Sequence, residues 1–367
     1  MARRFGLQAA LLLLATLSAC SMHNFPTIDR FTGPGPDSPL PAQTAQVFVD
    51  PNGSFYPSGW RGFFRPERPW KAASLLNQTR AGDPFRTLIE RDEPRQLAEL
   101  RQFAAGAQRV FVLVHGYNNS MKEARLAYEA IEAKLDIGPG DRVVRFYWDG
   151  LIGHGIGAGE IWFKAVGYSQ VAGVRGLRKV LEQFPDQKLV VITHSRGASV
   201  ILSALGDPVY NPDFRQKTID VAASWGDAYR DFLTQKPLPA KGGAIDVLML
   251  APAVDRVDFC DSREQPLPGE RKFHCEKLRA FPARVRTMRY TLNTRDPVLN
   301  KGFGLASSFN PTGLGVKDET GVELKKELPI LDRYTFSPGM RKHAFRKYVA
   351  SPTFEKMIAD AGVAKRP

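Results

Sequence analysis

The sequence predicts an α/β fold, a mostly parallel β-sheet with helices on both faces. Three features predict it. Valine-rich apolar runs of strand length recur without polar alternation, as in strands buried on both sides. Stretches with apolar residues at helical spacing separate them. Polar, turn-forming clusters follow the apolar runs directly, at the ends where an open parallel sheet collects its ligand chemistry. The composition allows such a core. Of 367 residues, 43% are hydrophobic and 24% charged, too apolar for a disordered chain and too interrupted for a polytopic membrane protein.

Each element follows in order. Gln46–Val49 and Gly62–Phe64 are early strand candidates in a weakly patterned region. Arg109–His115 (RVFVLVH) is a continuous apolar run suited to a central strand. Ser120–Leu135 reads as a helix, with Ala124, Ala127, Tyr128, Ile131 and Leu135 on one side. Arg142–Trp148 is the next strand. Ser169–Phe184 is a helix carrying Val171, Val174, Leu177, Leu181 and Phe184 at helical spacing. Lys188–Thr193 (KLVVIT) is a third strand, and a helix over Arg196–Leu205 starts at once after it. Ala244–Ala251 and Val285–Leu292 are later strands. This alternation places the strands in parallel, with their carboxyl ends together.

Two of those ends carry distinctive chemistry. The first is His115-Gly116-Tyr117-Asn118-Asn119. The other is Thr193-His194-Ser195-Arg196-Gly197-Ala198. There a serine, with Thr193 and Gly197 two residues to either side, sits on a sharp strand-to-helix turn. Such a turn exposes the hydroxyl at a helix N-terminus, where partial positive charge favours a developing anion. A helix N-cap serine is the alternative reading. A nucleophilic serine needs a base, and the chain has six histidines. His23 lies near the N-terminus, His154 in the glycine-rich stretch 153–159, and His274 beside Cys275. His115 belongs to the first strand-end loop. His194 adjoins the serine, so strand alternation sends its side chain to the opposite side. His343, in Arg341-Lys342-His343-Ala344-Phe345, stands where the last loop of the sheet should supply the base. The base in turn needs an acid that orients it. Asp296, in Asn293-Thr294-Arg295-Asp296-Pro297, follows the strand VRTMRYTL; Asp255, after the preceding strand, is the rival acid.

These segments resemble the α/β-hydrolase superfamily, and more narrowly its bacterial esterase/lipase-like members. VHGYNNS, THSRGAS, NTRDPVL and HAFRKYV match in order and spacing over about residues 108–355. The resemblance implies an α/β-hydrolase fold and a Ser195, Asp296, His343 triad. It also implies an oxyanion hole made by the backbone N–H groups of Tyr117 and Arg196. Thr193 stands where the usual elbow has its first glycine, a strand position that tolerates β-branching.

The N-terminus has its own logic. Arg3 and Arg4 precede an apolar run from Phe5 to Leu17. That run is shorter than the ~20 residues a membrane-spanning helix needs, and fits a signal peptide. It ends in Leu17-Ser18-Ala19-Cys20, which resembles a bacterial lipoprotein cleavage box. The expected organisation is a signal peptide over 1–19, a Pro-rich tether over 20–45 and one domain over 46–367. Cys20 would carry the lipid, and Ser21 after it points to the outer membrane rather than the inner. Export leaves Cys260 and Cys275 as a pair, expected to form a disulfide in an oxidising periplasm. Free thiols or a metal site are the alternatives, and no Cys-x-x-Cys supports the metal.

The remaining features narrow the reading. Net charge is +13, which favours anionic surroundings. Basic and aromatic residues interleave at 61–68 and 341–348; in an exported chain they point to anionic lipid or lipopolysaccharide, or to a solvated face, rather than to nucleic acid. Gly153–Gly159 lacks the Gly-Lys-Ser/Thr of a phosphate loop. Residues 206–243 are long for a connection and are expected either as a lid or as a surface excursion. No metal or organic cofactor is implied. The expected function is a membrane-anchored carboxylic-ester hydrolase acting on a small-molecule or lipid ester. The alternative is an envelope lipoprotein that uses the fold as a binding or scaffolding module.

Overall fold

A computed structural model of the chain describes residues 21–22, 40–50, 53–58, 84–150, 152–153, 167–206, 238–260, 277–300 and 312–365. The signal-peptide expectation, Cys20, the strand expected at Gly62–Phe64, Cys275 and residues 207–237 of the expected lid lie outside them.

The core is a seven-stranded sheet. Its strands are β1 (Thr44–Val49), β2 (Arg109–Val114), β3 (Asp141–Trp148), β4 (Lys188–His194), β5 (Ile245–Leu250), β6 (Val285–Leu292) and β7 (Leu331–Thr335). The spatial order is β1-β3-β2-β4-β5-β6-β7, and every pairing is parallel. The central strands are buried along their whole apolar length, as their unalternating sequences require: Val110 to Val114, Leu189 to Ile192 and Val247 to Leu250 are all fully covered.

Helices flank the sheet. They include α1 (Pro84–Phe103), α2 (Met121–Glu132), α3 (Arg178–Leu181) and α4 (Gly197–Leu205). α2 begins where its capping chemistry dictates. Ser120 accepts from the Glu123 amide, and the Glu123 carboxylate accepts from the Ser120 amide. Its buried stripe is Met121, Ala124, Ala127, Tyr128 and Ile131, close to the expected face. α3 is preceded by a π-helical segment, Ala172–Leu177, within the single helix expected at Ser169–Phe184. After β6 come α5 (Pro297–Asn300), α6 (Gly313–Val316), α7 (Asp318–Glu327), α8 (Phe345–Val349) and α9 (Pro352–Asp360).

The structure differs from the sequence reading at its edges. β1 starts at Thr44, inside the expected tether, because Thr44–Val49 pairs with Val143–Trp148 of β3. Outside the sheet, Ser21–Met22 pairs antiparallel with Ile152–Gly153, so the tether region also makes backbone contacts. α1 has no apolar periodicity to mark it in the sequence, because it is charged and interrupted by Pro94. β7 is an edge strand with alternating burial, a pattern too short to stand out in the sequence. Among the described residues, no helix is long and apolar enough to cross a membrane.

Because all seven strands run the same way, the ends of β2, β3, β4, β5 and β6 gather on one edge. The candidate site stands there.

Candidate active site

Ser195 occupies the turn between β4 and α4. Its φ is +52°, a left-handed conformation that a residue with a Cβ adopts only when its surroundings impose it. Two backbone bonds impose it here. The Ser195 amide donates to Leu250 O at 2.8 Å, and the Ala253 amide donates to Ser195 O at 3.1 Å. The glycines near it are there for space. A Cβ on Gly197 would lie 2.7 Å from His115 O and 2.8 Å from Val114 O; one on Gly116 would lie 2.7 Å from Ser195 Cβ. The loop after β2 thus rests directly on the serine.

His343 reaches Ser195 from the segment between β7 and α8. Its Nε2 is 3.0 Å from Ser195 Oγ, and its Nδ1 is 2.8 Å from Asp296 Oδ2. With a carboxylate at one nitrogen, Nδ1–H donates to Asp296. Nε2 is then left to accept the Ser195 hydroxyl proton. Asp296 is fully buried. Its Oδ1 accepts the amides of Val298 at 2.9 Å and Leu299 at 3.1 Å; its Oδ2 also accepts the Tyr348 hydroxyl at 2.6 Å. Burial alone would push this carboxyl up. Hydrogen bonds from His343, Tyr348 and the Leu299 amide outweigh it and hold it below the usual carboxylate range.

The rival acid is occupied elsewhere. Asp255 caps the short helix Arg256–Phe259. Its carboxylate accepts the amides of Arg256 at 2.8 Å and Gly313 at 3.1 Å, and the Thr320 hydroxyl at 3.4 Å. These bonds are those of an Asx-type cap, not of a histidine partner.

The backbone amides proposed to face an oxyanion lie on the two segments that touch Ser195. Tyr117 follows Gly116, and Arg196 follows the serine itself. The Tyr117 loop is pinned by His115, which is fully buried. His115 Nδ1–H donates to Gly116 O at 2.7 Å, its Nε2 accepts the Trp148 amide at 3.2 Å, and its carbonyl accepts the Trp148 indole N–H at 2.8 Å. Burial lowers the imidazole to about 4, so the ring is neutral. Arg196 is clamped through its side chain. Its guanidinium donates to Ala253 O at 2.5 Å and Ser199 Oγ at 2.9 Å, and pairs with Asp258 at 3.4 Å. The whole group is buried; desolvation lowers the arginine and raises Asp258.

Three residues that the sequence reading did not place in the site complete it. Asn293 ties the two loops together: Met340 N donates to its Oδ1 at 2.9 Å, and its Nδ2 donates to Met340 O and to Tyr348 Oη, both at 2.8 Å. Tyr348 reaches Asp296 as described. His194 was expected on the opposite side of β4, yet it packs beside the base. Its Nε2–H donates to His343 O at 2.9 Å; its ring stacks on Phe345 at 4.5 Å and lies 5.0 Å from His343. Strand alternation misleads here because Ser195, in a left-handed turn, has already left the strand. Burial first, then the His343 charge, hold the His194 ring well below its usual range. Asn293 and Tyr348 lay within the motif segments NTRDPVL and HAFRKYV, but only folding brings them together.

Among the described residues, no cluster of three or more His, Cys, Asp or Glu side chains is arranged to hold a metal. Cys260 is fully buried and forms an isolated antiparallel bridge with Leu278.

Residues 95–275 match a family described as an alpha/beta hydrolase of unknown function (DUF900). The match includes the His115 loop and Ser195 and ends before Asp296 and His343. Comparison with curated proteins gives no match. Among solved structures, the chain is similar to RedJ with a PEG molecule bound in the active site: 10% identity, TM-score 0.29, with 71% of this chain and 90% of that one covered. It is similar to an acetylxylan esterase at 15% identity and TM-score 0.29, covering 55% of this chain and 93% of that one. It is also similar to the RedJ thioesterase of the prodiginine biosynthetic pathway in Streptomyces coelicolor, at 13% identity and TM-score 0.26, covering 71% and 91%.

Proposed function

We propose that the chain is a member of the α/β-hydrolase superfamily and, on that premise, a serine hydrolase of carboxylic esters, held to the bacterial cell envelope by a lipid on Cys20. The observation that carries the reading is the continuous line from Ser195 Oγ through His343 to the buried, ionised Asp296, at 3.0 and 2.8 Å. Along that line Ser195 Oγ attacks the acyl carbonyl carbon, and its proton passes to His343 Nε2. The carbonyl oxygen takes up negative charge opposite the Tyr117 and Arg196 amides. Donors of this kind are worth about 3–4 kcal/mol each. Collapse of the intermediate breaks the bond to the alcohol, which leaves with the proton from His343. Water then repeats the sequence on the acyl-enzyme and returns free Ser195.

The envelope assignment rests on the Leu-Ser-Ala-Cys box, with the outer membrane, facing the periplasm, favoured by Ser21. A small-molecule or lipid ester is the substrate class, with no nucleic-acid partner. Arg295, Arg341, Lys342, Arg346 and Lys347 are exposed on the segments that carry Asp296 and His343. They support a site rim suited to anionic lipid or lipopolysaccharide. A Cys260–Cys275 disulfide belongs to the same reading. It is supported by the bridge between Cys260 and Leu278, which brings the chain three residues beyond Cys275 alongside Cys260.

The test is labelling of the detergent-solubilised full-length protein with a fluorophosphonate, beside Ser195→Ala and His343→Ala. Labelling lost in both variants is expected. A folded wild-type protein that stays unlabelled, or Ser195→Ala that still labels, overturns the serine-hydrolase reading in favour of a binding module.

A further inference from the structure

We propose that Tyr348 is a positioning residue whose hydroxyl shares the Asp296 carboxylate with His343 and thereby sets how readily His343 takes a proton. The inference rests on the Ser195–His343–Asp296 reading above.

The geometry is specific. Asp296 Oδ2 accepts from two donors, His343 Nδ1–H at 2.8 Å and Tyr348 O–H at 2.6 Å. The Tyr348 oxygen itself accepts from Asn293 Nδ2 at 2.8 Å, so its proton is directed at the carboxylate. The ring is fully buried, packed edge-on against Phe336 at 5.1 Å and against His194 at 5.9 Å. A phenylalanine would fill the same space with no polar atom to satisfy. Burying a hydroxyl here is favourable only because it is bonded to a charge. Burial and the neighbouring Asp296 charge push the phenol far above its usual range, so it remains a donor at any working pH.

Two donors on one carboxylate oxygen compete for its charge. Removing the Tyr348 donor concentrates that charge on His343 and favours the imidazolium, the form that cannot accept the serine proton. The ionisable groups facing His343 are Asp296, Ser195, Tyr348 and, from the end of β4, His194. Arg341 and Lys342 precede it in the chain, and Arg295 precedes Asp296. Of these groups, other than His343 itself, Tyr348 alone donates to the Asp296 carboxylate.

The measurement is the rate of fluorophosphonate labelling of Ser195 against pH in the detergent-solubilised full-length protein. In Tyr348→Phe, the acid limb should move up by about half a pH unit. One unit below the wild-type midpoint, labelling should then slow about threefold beyond any change on the plateau. Replacing Tyr348 with 3-fluorotyrosine, a stronger donor, should move the limb down. Phe336→Leu, which disturbs packing of the same ring without touching its hydroxyl, should leave the limb in place. A Tyr348→Phe profile lowered by one factor at every pH, or a limb that does not move, overturns the inference. If Tyr348→Phe does not fold, the 3-fluorotyrosine protein decides, and an unmoved limb there overturns it equally. A wild-type protein that does not label refutes the serine-hydrolase reading instead, so the two failures are distinct.

Discussion

Gly116→Ala adds one methyl group where the loop after β2 meets the nucleophile turn. Its Cβ would lie 2.7 Å from Ser195 Cβ, 3.0 Å from His194 O and 3.2 Å from His194 Nδ1. Nonbonded carbon atoms rest at about 3.5–4.0 Å, so one side must retreat by about 1 Å. None of the three atoms is the free end of a flexible side chain. Ser195 is held by its bonds to Leu250 and Ala253, and His194 by its bond to His343 O and its stack on Phe345. The retreat therefore falls on the Ser195–His343 contact or on the loop that carries the Tyr117 amide. Misplacement by about 1 Å costs roughly 100-fold in rate, and overpacking costs about 1–3 kcal/mol of stability. The assay is the fluorophosphonate labelling rate at neutral pH, with urea unfolding alongside. Gly138→Ala is the control, since its Cβ would meet nothing closer than Asp141 Oδ2 at 3.5 Å. A Gly116→Ala protein that labels within about threefold of wild type at unchanged stability would refute the claim that this contact sets the site.

Further outcomes follow from the same geometry. Asp296→Asn should slow labelling by about 1,000-fold or more, while Asp255→Asn should keep labelling and lose about 1 kcal/mol as a weakened cap; the reverse pattern would exchange their roles. His115, lowered to about 4 from about 6.5 in the unfolded chain, contributes stability that is present above its unfolded value and lost as pH falls toward its folded one. Urea unfolding should therefore show about 2 kcal/mol less stability from this group at pH 5 than at pH 7, a difference that His115→Gln should remove. Non-reduced protein should show no reactive thiol at Cys260 or Cys275, and closing a loop of about 16 residues should contribute roughly 3 kcal/mol; reactive thiols at both would remove the bridge. Processing should be sensitive to globomycin and leave acyl mass on Cys20, and Cys20→Ala should release the protein from the membrane fraction.

Local pattern made the centre of the sheet legible. RVFVLVH, RVVRFYW and KLVVIT are strands because strands buried on both faces must be apolar without alternation, and that requirement is written in consecutive residues. Ser120 with Glu123 marks the start of α2 for a similarly local reason. The turn at Ser195 was legible too, since a serine directly after such a strand, two residues before Gly197 and at the start of a helix, marks a sharp strand-to-helix turn. What lay at the edges was not. α1 is charged and contains Pro94, and β7 is short and half-exposed, so each owes its form to what it packs against.

By itself, then, the sequence determined a parallel α/β sheet and three polar segments at its carboxyl edge, because apolar periodicity and turn chemistry act over a few residues. Tertiary structure decided which aspartate faces His343, since Asp255 and Asp296 both follow strands and differ only in the amides and hydroxyls that folding brings to them. It also decided that Tyr348 shares the Asp296 carboxylate across 52 residues of chain and that His194 supports the backbone of His343 across 149. Contacts at such separations are set by how the strands stack and where their loops converge, which no short window of sequence contains.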